Sequence, residues 1–114
     1  MPFISTKTNV NVPKDKEVEL KERLGKAIEA IPGKSESWLM VAIEGDIPMY
    51  FKGQGNEPTA FVEVKIFGDA SKEAYANMTK ELSRVYAEVL GVKPDRLYVR
   101  YQGGTDWGWN GNNF

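Results

Sequence analysis

Residues 59–101 read TAFVEVKIFGDASKEAYANMTKELSRVYAEVLGVKPDRLYVRY, and this stretch decides the fold. Thr59 to Phe67 is predicted as a strand closed by a turn at Gly68-Asp69, with Glu63 and Lys65 sharing one face as an expected cross-strand ion-pair position. From about Ser71 to Leu90 the period changes. Met78, Leu82, Val85, Tyr86 and Val89 fall at i, i+4, i+7, i+8 and i+11, a buried helical stripe set against the polar face of Lys80, Glu81, Arg84 and Glu88. Gly91 ends that helix, and Leu97 to Tyr101 is a second strand.

Working outward, the residues before this unit follow the same programme. Pro2 to Asn9 is a strand rich in β-branched residues. Pro13 suits a first helical position, after which Leu20, Leu24, Ala27, Ile28 and Ile31 share a face until Pro32-Gly33 stops the helix. Trp38 to Ile43 is a continuous apolar run, expected as a strand buried on both faces with a parallel partner. Ile47 to Phe51 is a candidate short strand before a glycine-rich loop at 53–58. The halves rhyme at their helix exits, Gly33-Lys34 before Trp38 and Gly91-Val92-Lys93 before Leu97. Tandem β-α-β units with right-handed crossovers predict an α+β two-layer sandwich, a four-stranded mixed sheet with both helices on one face. The other face is left bare, so oligomerisation is its expected cover.

At 114 residues the chain is a single domain, 1–114, large enough to bury a core without crosslinks. Fifteen basic against sixteen acidic residues leave a net charge of −1, which argues against a nucleic-acid partner or a membrane surface. Small molecules or further copies of the chain are the expected partners. The chain has no cysteine and no histidine, which removes disulfides, thiol redox chemistry and most zinc and iron sites; neither a metal nor a cofactor is expected. No signal-peptide pattern and no membrane-length apolar run is present, so a cytoplasmic location, or release without a signal peptide, is expected.

The same two absences direct attention to Met1-Pro2. Trimming of Met1 before proline is expected, and it would leave Pro2 with a free secondary amine. An α-amino group, with a reference pKa of roughly 7.7–8, is the one ordinary group left near neutrality, and burial or nearby cations lower it further. Lys34 follows a helix stop, where it can serve either the helix dipole or a site. Tyr98 and Arg100, two apart on one strand, share a face, either as a functional pair or as ordinary alternation. The glycine-rich tail carries Trp107, Trp109 and Phe114, aromatics that either fold back on their own core or line a pocket or subunit contact.

Taken end to end, the chain resembles the macrophage migration inhibitory factor and D-dopachrome tautomerase family, whose members use an amino-terminal proline. The resemblance rests on Met1-Pro2-Phe3-Ile4 with Thr8-Asn9-Val10, on Gly33-Lys34 and Glu57-Pro58, on Pro94-Asp95-Arg96-Leu97-Tyr98-Val99 with Tyr101, and on Gly108-Trp109-Asn110 with Phe114. It implies a homotrimer with sites at subunit boundaries and cofactor-independent keto–enol tautomerisation of small aromatic keto acids such as phenylpyruvate. In those terms Pro2 is the catalytic base, Lys34 holds the substrate's carboxylate or carbonyl, Tyr98 comes from a neighbouring subunit, and Trp38, Phe67, Trp107, Trp109 and Phe114 line the pocket. The alternative is a cytokine-like protein that binds a receptor and keeps the pocket only as a relic.

Four departures from the family pattern carry expectations of their own. Arg100 stands where an asparagine is familiar, and its guanidinium would either grip a carboxylate or pair with a neighbouring subunit's acid. Phe67 replaces an isoleucine and should narrow the site. Asp69 replaces a lysine and removes a cation. Thr59-Ala60-Phe61-Val62 replaces a Cys-x-x-Cys, which rules out thiol oxidoreductase chemistry here.

Overall fold

Alternation on two central strands and a helical stripe on two long segments bury the same set of side chains. In the computed structural model, which describes residues 1–114, strand β1 (Pro2–Thr8) and strand β3 (Ala60–Ile66) point every second residue into one core. Ile4, Val62, Val64 and Ile66 are fully buried there, against Leu20, Leu24 and Ile28 from the first helical segment and Met78, Leu82, Val85 and Tyr86 from the second. Helix α1 (Lys14–Ala27) continues into a 3-10 turn at Ile28–Ala30. Helix α2 (Lys72–Leu90) opens on Ser71, whose hydroxyl accepts Ala74 N–H at 3.0 Å, and closes on Gly91 at φ +69°, where a side chain would be strained.

Strands β2 (Met40–Glu44) and β4 (Leu97–Gln102) complete a sheet in the order β2-β1-β3-β4. The outer pairs are parallel and the central pair antiparallel, so two β-α-β units meet back to back. Both helices lie over the core face and are tied by an ion pair between Arg23 and Glu88 at 2.7 Å. The fold is the α+β sandwich the sequence predicts.

Three local expectations differ from the structure. The apolar run at 38–43 does not form a strand buried on both faces: Trp38 ends a 3-10 turn (Glu36–Trp38), and β2 is an edge strand. Val41 and Ile43 pack toward the core while Met40 is 68% exposed, because one layer of helices covers only one side of the sheet. No strand forms at 47–51. Phe51 instead bridges Gln54 through a two-residue turn, with Lys52 and Gly53 both at positive φ, the backbone of a type I′ hairpin turn. Glu63 and Lys65 form no ion pair: Lys65 sits opposite the uncharged Phe3 and Gln102, and Glu63, although its register partner on β4 is Arg100, makes no salt bridge with it.

The tail adds a hairpin, β5 (Gly108–Trp109) with β6 (Asn112–Asn113), turned by Asn110-Gly111 at positive φ. Its root is fixed by two hydrogen bonds between Gly68 and Gly104, each 2.7 Å. A Cβ on Gly103 would stand 2.5 Å from the Gly68 carbonyl, so this crossing demands glycine.

Polar groups inside the core are paired. Arg96, 7% exposed, donates to Thr59 Oγ1 and to the Pro58 and Gln54 carbonyls, and its guanidinium lies 5.5 Å from the centre of the Phe51 ring. It thereby pins the 51–59 loop to the entry of β4. The Thr6 hydroxyl and the Tyr86 phenol, both fully buried, bond to each other, and burial pushes the phenol pKa upward. Tyr86→Phe strands the Thr6 hydroxyl and is expected to cost about 1–2 kcal/mol. In urea unfolding the midpoint should fall with unchanged slope, and adding Thr6→Val should recover part of the loss.

Candidate active site

The residues singled out in the sequence gather at the start of β1, with two exceptions. Pro2 is buried opposite Ile66, the last residue of β3, after which the chain turns through Phe67. Phe67 N–H donates to the Met1 carbonyl at 2.9 Å, extending the ladder beyond Pro2. Lys34 reaches the same place because Gly33, at φ +82°, turns the chain out of the first helical segment. Its Nζ donates to the Phe67 carbonyl at 2.8 Å and lies 6.0 Å from the centre of the Phe67 ring.

Beside this junction opens a cleft of about 530 Å³, lined by Met1, Pro2, Phe3, Ser37, Trp38, Leu39, Met40, Lys65, Trp107, Gly108 and Trp109. All three tryptophans of the chain line it. Trp38 meets Trp109 edge to face at 5.2 Å, and Phe67 meets Phe114 the same way at 5.5 Å, so the tail hairpin caps the start of β1. The aromatic tail therefore folds onto its own chain and lines a pocket at once. Lys34, Phe67 and Phe114 stand next to the cleft rather than on its lining. Asp69 faces away, its carboxylate accepting Ala70 N–H and the Tyr75 hydroxyl, which hold its pKa below the usual range.

Tyr98 and Arg100 are the exceptions. Tyr98 pairs with Phe61 and rests edge-on against Phe51 at 5.2 Å. Phe61 lies five positions before Ile66 on β3, which at about 3.3 Å per residue is roughly 17 Å from Pro2's partner. Arg100, opposite Glu63, is three positions away, roughly 10 Å by the same spacing. Neither lines the cleft of its own chain. Tyr98 is nonetheless 63% exposed, an aromatic surface turned outward.

Phe3, Ser37, Leu39, Met40 and Lys65 line the cleft although the sequence assigned none of them to a site, Lys65 being read as an ion-pair position. Lys65 has a readable signal in part: alternation puts it on the uncovered face, but only the β1–β3 register sets it opposite Phe3. No three carboxylate side chains come together as a metal-ligand set.

The macrophage migration inhibitory factor (MIF) family matches residues 1–114. Mouse macrophage migration inhibitory factor is 30% identical, over 100% of this chain and 99% of the mouse protein. Among solved structures, Leishmania major MIF2 is 30% identical with a TM-score of 0.92, over 100% of this chain and 97% of its own. Pt0534, solved after inactivation by 2-oxo-3-pentynoate, is 19% identical and shares the fold at a TM-score of 0.83, over 96% and 93% of the two chains.

The amine at the chain start is held below the ordinary α-amino value, first by burial and then by the Lys34 cation. Removal of Met1 places the Pro2 amine deeper in the same surroundings. Its pKa is expected to be lowered from the ordinary α-amino value by the same two causes. Lys34→Met removes a positive charge that disfavours the ammonium, so the pKa should rise toward that value. Titration of the Met1-free protein by NMR, following Pro2 ring shifts in both forms, checks the direction.

Proposed function

The chain belongs to the macrophage migration inhibitory factor family, whose wider superfamily includes tautomerases, and we propose that it is a cofactor-independent keto–enol tautomerase of arylpyruvates. Pro2, freed by removal of Met1, is the general base. The observation carrying this reading is the junction itself: a buried Pro2, a cation beside it, and a cleft walled by every tryptophan in the chain.

The chemistry follows from those parts. The neutral Pro2 nitrogen takes a proton from the methylene carbon next to the ketone. The C–H electron pair moves into the carbon–carbon bond, and the carbonyl pair onto oxygen as an enolate. Protonation of that oxygen gives the enol, and the Pro2 ammonium returns its proton, so the net change is isomerisation. Donors must face the oxygen where charge develops. Phe67 N–H, engaged by the Met1 carbonyl before trimming, becomes free to meet that oxygen, with Lys34 held at the carbonyl of the same residue. The aryl ring fits against Trp38 and Trp109. Phe67 narrows the site beside Phe114. The inactivator of Pt0534 is itself a 2-oxo acid, the class proposed here.

Tyr98 and Arg100 join the site from a second copy in a homotrimer. What supports this is their distance from Pro2 within one chain, the exposure of Tyr98, and a sheet face uncovered by helices. Arg100 then presents its guanidinium at the pocket rim.

Three forms of the protein test the mechanism with phenylpyruvate: Met1-free, Met1-retained and Met1-free Pro2→Gly. The first should tautomerise it, the second should not, because its Pro2 nitrogen is an amide, and the third should lose at least about tenfold in kcat/KM. An unchanged rate in Pro2→Gly would falsify the assignment. Refolding Pro2→Gly together with Tyr98→Ala should yield more activity than either variant alone, since mixed trimers regain some sites with both residues intact.

A further inference from the structure

Two lysines stand near Pro2 in unlike surroundings. The Lys34 ammonium is engaged: it donates to the Phe67 carbonyl, lies over the Phe67 ring and neighbours the chain-start amine. It is not part of the cleft lining. Lys65 is on that lining, half-buried, between Phe3 on β1 and Gln102 on β4, on the sheet face opposite the helices. It takes part in no ion pair, although Glu63 shares its strand face and Asp106 borders the adjoining depression that Lys65 also lines.

We propose that Lys65 is a further specificity-determining residue, a second cation that reads the substrate's carboxylate from the uncovered sheet face. This rests on the tautomerase reading for its substrate but not for its physics. Phe3, paired with Lys65 across the strands, and Trp107 line the same cleft, apolar surface that lysine methylenes can cover while the ammonium stays near water. Walls of indole lower the effective dielectric there, so an anion is attracted more strongly than at an open surface. An aryl carboxylate laid with its ring on Trp38 and Trp109 then reaches a cation that nothing in the protomer neutralises. A neutral analogue of the same shape gains the stacking and loses the charge term.

Binding of 3-phenylpropanoate and 3-phenylpropanamide tests this, since neither can enolise. Every tryptophan lines the cleft, so intrinsic fluorescence reports on this site. The unaltered Met1-free protein should prefer the acid. Lys65→Gln should weaken the acid about fivefold or more and leave the amide within about twofold, the size expected for one partly exposed charge contact. Lys65→Arg should keep the preference, and added salt should erode it. Equal affinity of the unaltered protein for acid and amide would overturn the proposal, as would an unchanged acid affinity in Lys65→Gln or equal losses of both ligands. A protein that binds the acid through Lys65 yet leaves phenylpyruvate unchanged would sink the tautomerase reading and leave this one standing.

Discussion

The antiparallel pairing of β1 with β3, from Pro2 opposite Ile66 to Thr8 opposite Ala60, sets the place of every other part. It joins two β-α-β units whose own strands pair in parallel, so each helix crosses the same side of the sheet and the two meet over one core. It also brings the start of the chain to the end of β3. Phe67 is then the hub: its N–H meets Met1, its carbonyl meets Lys34 and its ring meets Phe114. Slipping the register by one residue would turn one strand's inward set out of the core, either Ile4 or Val62 with Val64, and dismantle that hub together with the packing.

One helical layer against one sheet leaves a face with no cover inside the protomer. Across that face the strands present Met40, Phe3, Lys65 and Gln102 in one row, Ala42, Ser5, Glu63 and Arg100 in the next, and Glu44, Lys7, Phe61 and Tyr98 in the third. Such a surface is too polar for a dry second core. It suits contact at its margins, where Met40 and Tyr98 are exposed, with water over its middle. Arg96 stiffens one margin by tying the 51–59 loop to the strand that carries Tyr98.

What the sequence made legible depends on how local the deciding physics is. Helix α2 was readable to within a residue because its stripe, its Ser71 cap and its Gly91 stop all lie within one window. The Asn110-Gly111 hairpin also has a local signal, the strongest short one for a type I′ turn, but flanking strands of two residues each leave no alternation to support it. The run at 38–43 has no such local cue: apolar content tells that a segment seeks cover, not which neighbour supplies it. Pro2, Lys34 and the tail aromatics were placed at one site by resemblance, and the structure assembles them. Lys65 escaped because alternation gives a face, whereas its partner across the sheet follows only from a register set by residues about sixty positions away in the chain.

Met1 makes the tie between folding and chemistry explicit. While it is attached, the Pro2 nitrogen is an amide with no basic lone pair, the Phe67 N–H has an acceptor, and the Met1 residue forms part of the cleft wall. The untrimmed chain therefore satisfies its own site. Trimming removes one residue and creates two functional groups a peptide's width apart, a buried amine and an unpaired N–H. A donor left unpaired in such a place costs about 1–3 kcal/mol until water or a ligand oxygen takes it. On the proposed tautomerase reading, a substrate oxygen that accepts from the Phe67 N–H would recover that cost, and the fixed ladder would hold the donor in place without reorganisation. The sheet that binds its own N-terminal residue is, on this reading, already shaped for the molecule that replaces it.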